Sequence, residues 1–359
     1  MFLLLDLGSD GLNASGSRNI IIACHIMKRS STLPFLLLLF LAASSAKLSD
    51  EKVLKQKLAN CHTALPHLPP PLPAPGSAPF IRKTATSSTF RVVFIMGLEG
   101  TGHHAWSNIY NTCIRTGVGP CASNETLTTL LYKGGPLPEG IFAYGASPSD
   151  SPALVACRQR LFLSALAELK EKASSELIFL NGAEVKEGHL SFPSYNGPHK
   201  ALHQPDVVAL ARLCESVGVD LRLVVMLRDT DAITASTVKR AFGKDSAHEV
   251  AVLTNNAAVM TAQLSLLDPA FTSCVQYDDM GDPHKADVRE SLASFLHPKL
   301  TGDILKMGFR AKFHRAPSRA GVQDSSRERL DGLLQLLQHT CSATTRDLTA
   351  SDPRASPVV

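Results

Sequence analysis

A glycine-rich stretch behind a run of apolar residues is the first part of the sequence that could do chemistry. Residues 92–96 read VVFIM, and Gly97 and Gly102 then stand at the G-x-x-x-x-G spacing of a phosphate-binding loop. Loops that bind nucleoside triphosphates continue with Lys and Ser or Thr, whereas this chain continues with His103 and His104. Because the lysine near the transferred γ-phosphate and the hydroxyl on magnesium are both missing, the stretch argues against ATP hydrolysis.

The same glycines still predict a loop that binds an anion. Gly97, Gly100 and Gly102 permit a tight turn in which backbone N–H groups converge, and the amino end of the following helix adds partial positive charge. Hydroxyl and imidazole donors come from three neighbouring side chains, Thr101, His103 and His104. The alternative is a tight strand-to-helix turn whose histidines only cap the helix.

An arginine and a serine follow a second apolar run. Residues 221–227, mostly Leu and Val, predict a buried strand, and Arg228 comes directly after it. The Asp-Thr-Asp that follows is typical of a helix start, which places Ser236 on the early turns of that helix. An arginine fork with a serine hydroxyl suits a phosphate monoester. The alternative is an arginine paired with Asp229 or Asp231.

These stretches lie in a chain whose apolar strands alternate with helical patterns. Residues 177–180 and 273–277 predict further short strands, and spacings of three and four predict helices, for example over 207–217 and 250–267. This alternation is typical of a three-layer α/β fold with a central parallel sheet. Ligands on such sheets bind at the carboxyl ends of the strands, where the glycine loop and Arg228 both fall.

With these residues in place, the chain resembles the sulfotransferases that use 3′-phosphoadenosine 5′-phosphosulfate. That family carries a strand–loop–helix for the 5′-phosphosulfate, onto which Thr-Gly-His-His at 101–104 falls. It also carries a later strand that ends in Arg, with Ser eight residues on, for the 3′-phosphate; here these are Arg228 and Ser236. The stretch at 275–298 is similar to the family's Tyr-acid-acid strand end and following helix. The resemblance covers residues 91–298.

The resemblance implies a P-loop-NTPase-like sulfotransferase fold of the luminal, Golgi type. It implies transfer of a sulfuryl group from the phosphosulfate co-substrate to a hydroxyl of a carbohydrate or of a protein tyrosine, with no metal required. The residues that it implies for nucleotide binding are Gly97, Gly100, Thr101, Gly102, His103, His104, Arg228 and Ser236.

The glycine loop departs from the family pattern at three positions. The family has Lys or Arg before its S-G-T-T core, where this chain has Gly100, and it has two threonines where this chain has His103 and His104. Either a histidine supplies the missing positive charge, or the activity of the domain is weak or lost.

Sulfuryl transfer also needs a group that takes the proton of the acceptor. A polar loop at 181–197 follows the strand at 177–180, at the same edge of the expected sheet, and contains Lys186 as a cation. Glu99 in the glycine loop is a further candidate base, and a solvated polar loop is the alternative interpretation of 181–197. The candidate catalytic residues are Glu184 and Glu187, which we favour, His189 and, because imidazole titrates near neutrality, His103.

The amino-terminal region is typical of a targeting segment. Two basic residues at 28–29 precede an apolar run at 33–43, and small residues suited to cleavage follow. We expect residues 1–46 to be a signal peptide or a type II signal anchor, with residues 1–26 an extension ahead of the initiator Met27. Either sends the chain to the secretory lumen; a buried core helix is the alternative.

Two further features agree with a luminal location. Asn124-Glu125-Thr126 is an acceptor sequence for N-glycosylation. Cys113 and Cys121 are close enough in sequence to form a local disulfide in an oxidising compartment, the alternative being two unpaired core thiols. Of the eight cysteines, Cys24 falls in the targeting region, and the odd number that remains leaves at least one free or intermolecular.

The remaining composition divides the chain and limits its function. We expect a proline-rich stem over 47–79, a sulfotransferase-like domain over 80–342 and a disordered tail over 343–359. A formal net charge of +4 does not indicate a nucleic-acid partner. The resemblance implies a carbohydrate or protein acceptor as the partner. The absence of any C-x-x-C pair argues against structural zinc.

Other functions are open on the sequence alone. One is a P-loop NTPase or kinase, against which the missing Lys-Ser/Thr pair counts. Another is a non-catalytic nucleotide-binding or scaffold domain of the same fold. A glycosyltransferase would need an Asp-x-Asp beside a strand end to hold a metal; Asp229-Thr230-Asp231 has that spelling, but its place in the Arg–Ser motif favours a helix cap.

Overall fold

The structure is a computed structural model, and it describes residues 56, 80–84, 90–117, 119–122, 127, 143–144, 152–172, 176–180, 194–196, 201–239, 246–310 and 324–350. The chain divides into two units, Met1–Gln56 and Lys57–Val359, and every strand and helix given below lies in the second. The predicted targeting segment, the stem apart from Gln56, and the glycosylation acceptor at 124–126 lie outside the described residues.

The core of the second unit is a parallel sheet of five strands in the order β2–β4–β1–β7–β8. Its two central strands pair in register, from Arg91 opposite Asp220 to Gly97 opposite Met226. In chain order the strands are β1 (Arg91–Gly97), β2 (Cys121–Ala122), β3 (Ala143–Tyr144), β4 (Leu177–Phe179), β5 (Ser194–Asn196), β6 (Ala201–Pro205), β7 (Asp220–Leu227) and β8 (Thr272–Gln276).

Helices flank this sheet, and a 3₁₀ turn at Pro269–Phe271 leads into β8. The helices are α1 (His103–Thr116), α2 (Pro152–Lys172), α3 (Val207–Ser216), α4 (Thr230–Lys239), α5 (Ser246–Leu264), α6 (Tyr277–Gly281), α7 (Ala286–Leu296), α8 (Gly302–Arg310) and α9 (Asp324–Ala350). The predicted α/β class with a central parallel sheet is confirmed, and it is consistent with the P-loop-like fold that the resemblance implies. None of the described helices is both long and apolar enough to cross a membrane.

Two parts of the chain differ from the sequence-based expectation. β3, β6 and β5 form a second, antiparallel sheet. β5 lies in the stretch expected to be a polar loop; it was not recognised because its residues, Ser-Tyr-Asn, form no apolar run. α9 continues to Ala350, although composition predicted disorder from residue 343. Helix propagation is cooperative, so an anchored helix extends readily into polar residues.

Asp220, the first residue of β7, is the centre of a buried charge cluster at the amino end of the sheet. Its side chain is 4% exposed and lies 2.7 Å from Lys83 Nζ, 2.9 Å from Arg91 Nε and 2.8 Å from Arg222 Nη2. Burial acts to raise the pKa of Asp220, but Arg222 and Lys83 hold it below its usual range. Lys83 Nζ also donates to the Leu221 carbonyl at 2.6 Å, which fixes the start of the folded body.

Removing the Asp220 charge should destabilise the fold. Asp220→Asn leaves three partly buried cations without their shared carboxylate, which we expect to cost about 3–5 kcal/mol in the free energy of unfolding measured with urea. Because the pKa of Asp220 is lowered on folding, its contribution is complete above the ordinary carboxyl pKa and is lost as pH falls through the lowered value. The exposed Glu171→Gln is the matched control, and equal unfolding curves for the two variants would contradict the cluster's role.

Disulfides join the helices to the edges of the sheet. Cys113 in α1 pairs with Cys121 in β2, as the sequence predicted, and Cys274 in β8 pairs with Cys341 in α9. Cys157 is also disulfide-bonded. Within the described residues Cys214 is the free cysteine, as the odd count required; it is buried, and burial raises the pKa of its thiol.

α1 and α8 approach closely because Gly308 has no side chain. A Cβ at this position would lie 2.3 Å from the Ile109 Cα and 2.7 Å from its nitrogen, both backbone atoms that cannot rotate away. The contact holds α1, the helix that follows the glycine loop, against the buried side of α8, where Leu305 and Phe309 join the core.

Adding a methyl group at Gly308 should therefore separate the two helices. We expect Gly308→Ala to lower the free energy of unfolding by about 1–3 kcal/mol, as overpacked cores do. Gly332→Ala in α9 is the matched control: nothing lies within 4 Å of its Cβ, so it should stabilise the chain by up to about 1 kcal/mol. Thermal unfolding that shifts equally in both variants would refute the close approach.

Candidate functional site

The glycine loop after β1 is held by its own backbone. Gly100 and Gly102 have φ angles of 91° and 105°, in the left-handed region that favours glycine. The backbone N–H of Thr101 donates to the Leu98 carbonyl at 3.1 Å, and the Thr101 hydroxyl donates to the same carbonyl at 2.7 Å. Both donors of Thr101 are thus used inside the loop, which differs from the expectation that its hydroxyl faces a phosphate.

Two of the glycines permit contacts with neighbouring strands. A Cβ on Gly97 would lie 2.9 Å from the Met226 carbonyl of β7, and a Cβ on Gly102 would lie 2.2 Å from the Tyr277 ring. Tyr277 is the first residue after β8. The loop therefore fits against the carboxyl ends of both β7 and β8, which is the edge where the sequence placed a ligand.

The helix that follows the loop begins without a side-chain cap. Gly102 is the N-cap residue of α1, no side chain caps this end, and the first turn contains no acidic residue. The partial positive charge at this amino end is thus not offset within the helix. His103 and His104 are its first two residues; the placement of their side chains lies outside the described part of the structure.

Arg228, which directly follows β7, joins the loop to the second motif. Its Nη1 donates to the Gly100 carbonyl at 3.0 Å, and its guanidinium lies 4.3 Å from the centre of the Tyr277 ring. Asp229 has another role, because its Oδ1 accepts from the Ala232 N–H at 2.8 Å and so caps α4.

The second acid of the Asp-Thr-Asp sequence is also engaged elsewhere. Asp231 Oδ2 lies 2.9 Å from Arg327 Nη2 of α9. The Asp-Thr-Asp sequence is thus a helix start, as the sequence suggested. Because Asp229 caps the helix and Asp231 pairs with Arg327, the two acids do not form a joint metal site.

Ser236 lies on α4 beside the same loop. A Cβ built on Gly100 would be 3.1 Å from the Ser236 Cβ and 3.0 Å from the Ile233 carbonyl, so α4 packs directly against the turn. Arg228 and Ser236, eight residues apart in sequence, therefore meet the glycine loop at one place. Both side chains are half-buried.

Tyr277 and Asp278 join the site without having been assigned to it from the sequence. Tyr277 is buried between Gly102 and Arg228. Partial burial raises the pKa of Asp278, as do Asp229 and Asp279, while the Arg228 charge acts to lower it. The Tyr-acid-acid at a strand end was the available signal, but only the strand order shows that β8 lies beside β7.

The candidate bases of the polar loop at 181–197 lie in a part of the chain that the structure does not describe. Glu184, Glu187 and His189 lie outside the described residues, as does Lys186. Glu99 is described, and 2% of its surface is exposed. In the part of the chain that the structure describes, no group of three or more His, Cys, Asp or Glu could hold a metal.

Comparison with known proteins identifies no family. No protein-family model matches the chain, and no curated protein sequence matches it. Among solved structures, the sulfotransferase domain of the Synechococcus PCC 7002 olefin synthase aligns with 72% of this chain and 98% of its own length, at 11% identity and a TM-score of 0.34. A likeness this distant does not bear on the activity of the present chain.

The contact between Gly102 and Tyr277 gives a test of the loop. Gly102→Ala combines left-handed backbone strain with a steric clash against the ring, whereas Gly117→Ala at φ 60° has strain and open space only. We expect Gly117→Ala to cost about 1–2 kcal/mol in the free energy of unfolding, and Gly102→Ala to cost more. Tyr277→Ala should recover part of the difference in the Gly102→Ala background. Equal losses at the two positions, or no recovery, would mean that the ring does not close the loop.

Proposed function

We propose that the chain is a sulfotransferase that takes 3′-phosphoadenosine 5′-phosphosulfate as its co-substrate. The observation that carries the proposal is the meeting of Arg228, Ser236 and the glycine loop at the carboxyl edge of the sheet, through the 3.0 Å hydrogen bond from Arg228 to Gly100. An arginine fork beside a hydroxyl fits the dianionic 3′-phosphate monoester. This phosphate distinguishes the co-substrate from ATP.

The neighbouring helix terminus fits the other end of the nucleotide. The uncapped amino end of α1, preceded by two glycines at positive φ, suits a 5′-phosphosulfate that is bound by backbone N–H groups. Gly97, Gly100 and Gly102 would form this cradle. His103 or His104 would supply the positive charge that the family takes from the lysine or arginine missing here.

The acceptor and the catalytic base are proposed from the sequence. We propose a hydroxyl of a carbohydrate or a protein tyrosine as acceptor, with Glu184 or Glu187 taking its proton and His189 and His103 as the other candidates. The targeting segment and the acceptor sequence at Asn124 favour the Golgi lumen, with the chain secreted or held by an amino-terminal membrane anchor. The Cys113–Cys121 disulfide supports an oxidising compartment.

Nucleotide binding tests the proposal directly. The full chain would be titrated by calorimetry with adenosine 3′,5′-bisphosphate, adenosine 5′-monophosphate and ATP with magnesium. We expect the bisphosphate to bind most tightly. Arg228→Ala should weaken it by about 1.5–3 kcal/mol, or roughly 10- to 150-fold, because a charged hydrogen-bond partner of the phosphate is lost.

The controls distinguish the alternatives. Arg160→Ala removes an exposed arginine on α2 and should leave binding unchanged. A preference for ATP would instead support a P-loop NTPase or kinase, and binding of none of the three nucleotides would contradict the proposed site. Bisphosphate binding without turnover on any acceptor would indicate a non-catalytic nucleotide-binding domain of the same fold.

A further inference from the structure

The C-terminal helix α9 lies outside residues 91–298, which carry the sulfotransferase resemblance, yet it packs against the elements that build the candidate site. It runs along α5 and also contacts α4, β7 and β8. Leu330 and Leu337 on α9 are completely buried. The helix is therefore an integral part of the folded body.

A first attachment joins α9 to the start of α4. Arg327 Nη2 lies 2.9 Å from Asp231 Oδ2, and Arg327 Nε lies 3.6 Å from Asp331 Oδ2, one turn further along α9. Thr230 Oγ1 donates a hydrogen bond to Asp331 Oδ1. Arg327 and Asp331 thus hold the second and third residues after Arg228.

A second attachment joins α9 to β8. The disulfide between Cys274 and Cys341 ties the helix to this edge strand, three residues before Tyr277. The ring of Tyr277 lies against the Arg228 guanidinium. α9 is therefore bound both to the segment that supplies the arginine and to the segment that supplies the ring beside it.

The exposure of the ion pair indicates what it can contribute. The side chains of Arg327 and Asp231 are 36% and 17% exposed, and Asp331 is 41% exposed. Ion pairs with this much solvent contact add little to the free energy of unfolding. They can still fix the orientation of the first turn of α4, which Asp229 caps. Because Arg228 directly precedes Asp229, that orientation also sets the position of Arg228.

We propose that Arg327 and Asp331 are positioning residues for the anion site, and that α9 acts as a clasp that holds Arg228 against the glycine loop. The inference rests on the proposed function, since it assigns the clasp to the 3′-phosphate end of the nucleotide. Neither residue touches the ligand. Both act through Thr230 and Asp231, which set the direction in which the chain leaves β7 toward α4.

The ratio of the affinities for adenosine 3′,5′-bisphosphate and adenosine 5′-monophosphate distinguishes a positioning role from a general structural role. In the full chain, Arg327→Ala should reduce the affinity for adenosine 3′,5′-bisphosphate about two- to fivefold, as the loss of one exposed pair allows, and leave that for adenosine 5′-monophosphate unchanged. The melting temperature should match that of Arg329→Ala, which removes an exposed arginine from the same helix. Arg327→Lys should restore part of the ratio, since lysine can still reach Asp231 but not fork to both acids.

A double-mutant cycle tests whether the effect passes through the pair. Asp231→Asn should lower the bisphosphate-to-monophosphate ratio as Arg327→Ala does, and the double variant should show no further fall. Equal losses for both nucleotides, or an unchanged ratio in Arg327→Ala, would overturn the clasp. Additive effects of the two substitutions would overturn it as well.

Hydrogen exchange tests whether α9 holds the first turn of α4 in the absence of nucleotide. In the unliganded chain, the amides of residues 230–236 should exchange faster in Arg327→Ala than in Arg329→Ala, because the first turn of α4 loses its ion pair with α9. Equal exchange in the two variants would overturn the clasp. If the unmodified chain does not prefer the bisphosphate, the proposed function fails, and this measurement still judges the clasp independently.

Discussion

The hydrogen bond from Arg228 to the Gly100 carbonyl, 3.0 Å long, is the contact on which the carboxyl edge of the sheet depends. It joins the end of β7 to the loop after β1, and the same guanidinium lies over Tyr277 at the end of β8. One side chain thereby fixes three strand ends relative to one another. The carbonyl and the ring are both neutral, and the Asp278 carboxyl lies within the electrostatic reach of the same guanidinium.

The opposite edge of the sheet uses its basic residues differently. There Lys83, Arg91 and Arg222 converge on the carboxylate of Asp220, which is almost completely buried. A buried carboxylate shared by several cations fixes the strand starts and the beginning of the folded body. The basic residues at the amino edge of the sheet thus hold strands together through Asp220, whereas Arg228 at the carboxyl edge is half-buried beside the glycine loop.

Much of the fold could be predicted because its signals are local. The apolar runs that became β1 and β7, and the helix over Val207–Ser216, follow from hydrophobic period and length alone. β5 and β6 could not be predicted, since Ser-Tyr-Asn and Ala-Leu-His-Gln-Pro contain no apolar run, unlike the equally short Leu-Ile-Phe of β4. The helical character of residues 343–350 was also missed, because composition does not register that a helix already begun at Asp324 can propagate.

The sequence by itself determined which residues stand at the carboxyl ends of the strands: the glycines after β1, and Arg228 and Ser236 after β7. These follow from spacing along the chain. Only the tertiary structure decided that Tyr277 closes over Gly102, that Thr101 uses its hydroxyl inside the loop, and that α9 reaches the start of α4. Such contacts depend on strand order and on packing between segments distant in sequence, and no local pattern of residues records either.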